Sequence, residues 1–331
     1  MGTAHQEEIK QFQALMEDVD DTLKHTFKNI HQGYPTETLI RFLKARDWNV
    51  QKAHKMLIDC LQWRIQNEID NILAKLIPID LYREIRDSQL VGLSGYSKEG
   101  HPVIAAGVGL STYDKASVNY YIQSYIQMNE YRDRVILPSA TEKYGKHIST
   151  CLKVLDMTGL KLSALSQIKL LTTITAIDDL NYPEKTGTYY IVNAPYIFSA
   201  CWKVVKPLLQ ERTKKKIQVL QGCGRDELLK VMDYSSLPHF CRREGSGSSQ
   251  HNGNGTTDNC FSLDHDFHQQ LYNYVKQQAE LESAELESIS LIKEGSVHVK
   301  FPEPDSGDAK IAETIESELQ RLGDQNGVLK S

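Results

Sequence analysis

The sequence predicts an α/β protein with a helical N-terminal part, on three observations. In the first ninety or so residues apolar side chains recur at helical spacing, and from about residue 90 short β-rich runs alternate with longer helical ones. A stretch rich in Gly, Ser and Asn, Gly245 to Asn259, then sets off an acidic tail. Strands alternating with helices build a layer whose sheet is mostly parallel or mixed.

The N-terminal helices are read in Ile9 to Met16, Leu39 to Leu43 and Val50 to Ile65, with Asn49 placed to cap the third by accepting from a first-turn amide. Strands are expected at Pro102 to Leu110, Cys151 to Met157, Thr188 to Ala194 and Ile217 to Gln221. Helices are expected at Lys115 to Leu137, Ser163 to Leu180, Tyr196 to Lys206 and Asp226 to Met232. In the first of these Val118, Tyr121, Ile122, Tyr125 and Met128 share one face, as do Leu170, Ile174 and Ile177 in the second, so both faces should point into the core. Beyond the linker, Asp264 to Leu291 and Ala309 to Leu322 are helically patterned in a tail read as loosely attached. The division is therefore 1–88, a helical subdomain; 89–243, an α/β lobe; 244–262, a flexible linker; and 263–331, an acidic, partly helical tail.

Composition narrows the function. A chain of 331 residues with 40% hydrophobic content can bury a substantial core. No run approaches the roughly 18 apolar residues of a membrane span, and Met1 to Glu8 lacks a signal peptide's apolar core, so a cytoplasmic protein is expected. The six cysteines form no CxxC pair, which points to reduced, mostly buried thiols rather than a zinc site or disulfide framework. Residues 1–243 carry 32 Lys/Arg against 27 Asp/Glu, and residues 244–331 carry 6 against 16. A mildly basic body with an acidic tail suits transient contact with an anionic surface, and not nucleic acid.

Enzyme signatures are missing. Gly107-Val108-Gly109 follows a strand but continues to Thr112 without an acidic ribose partner, and Gly92-Leu93-Ser94-Gly95-Tyr96 departs from GxSxG at its last position. The histidines lack zinc-ligand spacing, and the reading is of a non-enzyme with no metal and no cofactor.

Two segments stand out instead. After Pro195, Phe198, Trp202, Val205 and Leu209 form one helical stripe and Ile197, Cys201, Val204 and Leu208 the adjacent one, opposite Lys203 and Lys206. Such a helix either covers a sheet or lies in a membrane interface. Around it, Tyr182-Pro183-Glu184-Lys185-Thr186-Gly187 and Thr213-Lys214-Lys215-Lys216 supply a carboxylate, hydroxyls and ammonium groups, each with an ordinary surface explanation when taken alone.

In combination and order, Leu39-Ile40-Arg41-Phe42-Leu43-Lys44-Ala45-Arg46, Gly100-His101-Pro102-Val103, Leu155-Asp156-Met157, Tyr182-Pro183-Glu184, Asn193-Ala194-Pro195 and Leu237-Pro238 resemble the CRAL-TRIO lipid-binding family, in its phosphatidylinositol/phosphatidylcholine transfer branch. The resemblance covers roughly residues 36–240. It implies an α/β lobe enclosing an apolar pocket for one phospholipid, closed by a mobile gate within Tyr196 to Lys206 whose Ile197, Phe198, Cys201, Trp202 and Val205 touch the membrane when open. It places the phosphatidylinositol head group at Lys44, Glu184, Lys185, Thr213 and Lys216. Two of these are lysines where the family has arginine, which keeps the charge but loses the bidentate fork. Where the family holds phosphatidylcholine, this chain has Ile104, Cys151 and Lys153, so phosphatidylinositol is expected first and phosphatidylcholine second. His239-Phe240-Cys241-Arg242 stands where the family has a Gly-Gly pair.

The resulting expectation is a monomeric, non-enzymatic exchanger, transiently peripheral on membranes, that also presents phosphatidylinositol to lipid kinases. Its rivals are a lipid-sensing adaptor that recruits partners through the acidic tail, and a carrier of a sterol or isoprenoid.

Overall fold

A computed structural model describes residues 5–161, 167–198, 202, 211–242 and 258–286. The N-terminal part is four helices, α1 (Gln6–Glu17), α2 (Asp21–His31), α3 (Pro35–Ala45) and α4 (Val50–Gln66). They pack around Phe12, Leu39, Phe42, Leu43, Leu57 and Leu61. Asn49 caps α4 as expected, accepting from the Lys52 amide at 2.9 Å. A 3-10 turn (Ile69–Ala74) and α5 (Ile79–Ser88) lead into the lobe.

The lobe holds β1 (Val91–Tyr96), β2 (Pro102–Gly107), α6 (Val118–Tyr131), α7 (Leu137–Tyr144), β3 (Cys151–Asp156), α8 (Ile168–Asn181), β4 (Thr186–Val192), β5 (Ile217–Val219) and α9 (Arg225–Val231). The five strands lie in sequence order. β1 pairs with β2 antiparallel, and β2, β3, β4 and β5 are parallel, which makes the sheet mixed. The protein is thus α/β with a helical N-terminal part.

Three local differences from the sequence reading have physical causes. β1 contains Gly92 and Gly95, which weaken a strand pattern, but Gly92 is required because a Cβ there would sit 1.8 Å from the Cys260 carbonyl oxygen. The helical run expected to stop at Leu137 instead passes through a π turn (Arg132–Ile136) into α7, where Pro138 occupies the first turn and needs no amide partner. Val118, assigned to the inward face, is 50% exposed at the first turn of α6, while Tyr121, Ile122 and Met128 are buried.

The tail helix α10 (Asp266–Leu286) is not loosely attached. Phe267, Leu271 and Val275 are buried with Ile69, Ile72 and Tyr131, and His268 Nε2 lies 2.9 Å from the Val91 carbonyl oxygen. The expected linker around Gly245–Asn259 falls mostly outside the described residues, as do the expected helix Ala309 to Leu322 and Ser163–Ser166. Among the described residues no helix is long and apolar enough to cross a membrane.

Alternation along the strands gives the sheet two faces. One carries Val103, Ala105, Leu152, Val154, Tyr190 and Val192 against Leu228, Met232, Leu237 and Phe240. The other carries the cross-strand row Ile104, Lys153, Tyr189 and Ile217, whose neighbours pair directly. That second face lies beneath α6 and α8 and lines a cavity of about 580 Å³.

Candidate functional site

The site begins at the entry to β4. Tyr182 and Pro183 end α8, and Glu184 takes a left-handed backbone conformation (φ 59°), which is uncommon outside glycine and found often at functional positions. Tyr182 is anchored below by its hydroxyl, which donates to Glu130 Oε1 at 2.7 Å. Glu130 is gripped by both terminal nitrogens of Arg64 at 2.7 and 2.8 Å. Burial would raise the Glu130 carboxyl, but Arg64 and Arg134 outweigh it and hold it at about 2. This buried network ties α4 to α6 and α8.

From that anchor Glu184 and Lys185 diverge. Glu184 Oε2 meets Lys216 Nζ at 2.6 Å, with both side chains partly buried. Lys185 is buried and turns the other way, to Asp133 Oδ2 at 3.0 Å, while Asp133 accepts from Arg132 Nε at 2.7 Å. Burial, then Arg41 against the pull of Asp133, lowers the Lys185 ammonium to about 7.

Glu184, Lys185, Thr213 and Lys216 line one small polar chamber of about 60 Å³, together with Arg132, Asp178, Tyr189 and Arg212. Four of the five residues expected to hold a head group are thus brought together. Lys44 is not among the lining residues: its side chain is exposed, and its carbonyl accepts from Arg212 Nη1 at 3.1 Å. Two residues on, Arg46 is half-buried, and Arg212 and Asp179 are among the charges that act on it.

Arg132, Asp178, Asp179, Tyr189, Arg212 and Thr213 line both the polar chamber and the 580 Å³ cavity, whose remaining wall includes Ile104, Ala106, Met128, Ile136, Leu155 and Ile174. A polar compartment therefore adjoins an apolar one across a shared wall. The larger volume lies in the range of about 300–1,000 Å³ usual for ligand pockets.

The expected gate borders the same wall. Phe198 is buried against Met157 and Ile191, and its ring stacks on Trp202 with centroids 5.9 Å apart. Leu155 and Ile217, which line the cavity, pack against this cluster. In this form the two aromatic rings face the sheet, Ile197 is half-buried, and the outward aromatic is Tyr196 at 91% exposure. Cys201 and Val205 lie outside the described residues.

Sequence reasoning missed Arg132 and Arg212. Arg132 sits in the run Arg132-Asp133-Arg134, which reads as a solvated helix face because charged side chains are rarely buried. Only the packing of α6 over the sheet turns it inward.

The CRAL/TRIO domain matches residues 86–241 and the CRAL/TRIO N-terminal domain residues 8–59, together more than half of the chain. The chain belongs to the CRAL/TRIO family. Among the relatives of this CRAL/TRIO protein is the phosphatidylinositol/phosphatidylcholine transfer protein SFH9 of Arabidopsis thaliana, 30% identical over 227 residues, 65% of this chain and 39% of the relative. The SEC14 cytosolic factor of Eremothecium gossypii is 28% identical over 238 residues, 68% of this chain and 74% of the relative. The chain spans 39% to 55% of the length of the Arabidopsis relatives SFH9, SFH7, SFH11 and SFH12. The crystal structure of Sfh5 shares the fold, with a TM-score of 0.56 and 19% identity over 85% of this chain and all of that one.

Proposed function

We propose that this CRAL/TRIO protein binds one phospholipid, phosphatidylinositol foremost, and exchanges it between membranes. The observation that carries this reading is the shared wall between a polar chamber holding Glu184, Lys185, Thr213 and Lys216 and an apolar one of about 580 Å³. Acyl chains in the apolar chamber supply affinity, at about 0.8 kcal/mol per buried CH₂. The Glu184–Lys216 pair supplies selectivity, because an inositol ring can donate hydroxyls to the carboxylate while its phosphate accepts from Lys216 and Thr213. The similarity to the phosphatidylinositol/phosphatidylcholine transfer protein SFH9 supports a transfer role.

Exchange requires the Phe198–Trp202 stack to leave the sheet, with Tyr196 already outward to meet the bilayer. The protein then works as a carrier, transiently peripheral on membranes, and presentation of phosphatidylinositol to a lipid kinase is a natural extension. Lys44 enters this reading through its backbone, as the residue that holds Arg212 at the chamber rim. The test is transfer of labelled phosphatidylinositol between vesicles by the purified chain. Wild type should transfer it, and Glu184→Ala with Lys216→Ala should lower transfer about tenfold, the loss of one charge-assisted contact. A wild type that moves none, or a double variant as active as wild type, defeats the reading.

A further inference from the structure

The apolar chamber carries a polar strip that a wall for hydrocarbon does not need. Lys153 on β3 reaches it with its Nζ 3.2 Å from Asp178 Oδ2 and 5.7 Å from the centre of the Tyr189 ring. Asp178 also accepts from the Tyr125 hydroxyl and, at 3.0 Å, from Asn129 Nδ2. Asn129 Oδ1 accepts in turn from Arg132 Nη1 at 2.8 Å. The strip therefore runs Lys153, Asp178, Asn129, Arg132, and all four line the chamber.

Donors are left over at both ends. An ammonium offers three N–H groups, and Asp178 is the hydrogen-bond partner of Lys153 among the described residues. Arg132 is 4% exposed, and among the described residues its Nη2 has no hydrogen-bond partner. Asp178 already receives three donors, so the strip is rich in positive donors and poor in acceptors. Burial, the largest single influence, opposes its charge, but Asp178 together with Tyr125 and Tyr189 outweighs it and keeps the Lys153 ammonium well above its ordinary range. Apolar side chains in place of such a buried pair are often neutral or stabilising for a fold, so the strip is better explained by a ligand than by stability.

We propose that Lys153 and Arg132 form a second polar subsite, which takes an anionic oxygen group, phosphate or carboxylate, on an amphiphile whose chains lie in the apolar chamber. A phosphatidylcholine head fits less well there than an anionic one, since the quaternary ammonium next to its phosphate offers no acceptor to the spare donors and is repelled by both cations. This rests on the apolar chamber holding lipid, but not on Glu184 and Lys216 gripping a head group.

The test incubates the full chain with vesicles holding equimolar phosphatidylcholine, phosphatidic acid and oleate, and measures the loaded lipid by mass spectrometry. Wild type should load anionic lipid over phosphatidylcholine by about tenfold, the worth of one charge-assisted contact. Phosphatidic acid without oleate assigns the group as phosphate, and the reverse as carboxylate. Lys153→Thr should bring the ratio to within about twofold of unity, and Lys153→Arg should keep it. Should Lys153→Thr fail to fold, Lys153→Met with Asp178→Asn removes both charges together and should show the same loss. Equal loading of phosphatidylcholine by wild type, or an unchanged ratio in the neutral variants, overturns the inference alone. Loading of no lipid by any variant overturns the proposed function along with it.

Discussion

The two faces of the sheet are made by alternate residues of the same strands, yet they end in opposite states. Val103, Ala105, Leu152 and Val154 are closed off by Leu228, Met232, Leu237 and Phe240, all of them fully buried or nearly so. One residue along each strand, Ile104, Ala106, Lys153 and Leu155 face a cavity of about 580 Å³. Strand alternation cannot tell these faces apart, because both are mainly apolar. What separates them is the cover. On one side short helices pack directly on the strands, and on the other α6 and α8 stand off, braced by the Arg64–Glu130 pair with its Tyr182 hydroxyl and by the Lys185–Asp133 pair. One face is a core, and the other is a container with a rigid lining.

The difference is most easily broken from the core side. Leu228 has no exposed surface in the packed cluster, so Leu228→Ala removes buried methyl groups and leaves a cavity. A loss of about 2–5 kcal/mol in unfolding free energy is expected, measured by urea denaturation. The protein that remains folded should load lipid as wild type does, and a selective binding defect would show that the two faces are coupled. The reverse holds on the container side. Ala106→Phe projects a ring into the chamber and should lower phosphatidylinositol loading by about tenfold, with stability within about 1 kcal/mol of wild type, the ring meeting free volume. A large stability loss there would mean that the chamber is a packed core after all.

Much of this was legible in the sequence. The four strands from β2 to β5 and the helices over them follow from periodicity, and Glu184, Lys185, Thr213 and Lys216, far apart in the chain, do meet. The failures share a cause. β1 was hidden because its glycine answers to the Cys260 backbone, a contact made across the fold. Arg132 was hidden because a charged triplet in a helix looks solvated until the sheet is placed beneath it. Lys44 and Arg46 lie two residues apart, and only the three-dimensional turn after α3 decides which side chain approaches Arg212. Local pattern reports which residues are apolar, whereas the identity of a buried charge's partner is a long-range fact.

Titration separates the two faces with the smallest effect. Around the packed face, burial pushes the Cys260 thiol up to about 12 and raises Tyr190, so neither changes charge near neutrality. On the container side Lys185 is lowered to about 7, by burial and then Arg41, from an ordinary value of 10.5. Between those two values the unfolded chain holds a proton that the folded chain has released, so this group makes stability rise with pH across that window and adds no slope below about 7. Anion binding runs the other way, because Lys185 carries its charge only below about 7. Phosphatidylinositol loading should therefore fall by about threefold between pH 6.5 and 8.5, a fraction of one pKa unit's worth of interaction. Lys185→Arg keeps the charge throughout and should flatten the profile, and Lys185→Met should flatten it at the lower level. Loading measured across pH with each variant separates this from a general weakening of the fold, since loss of stability with rising pH is opposite in sign to what Lys185 contributes.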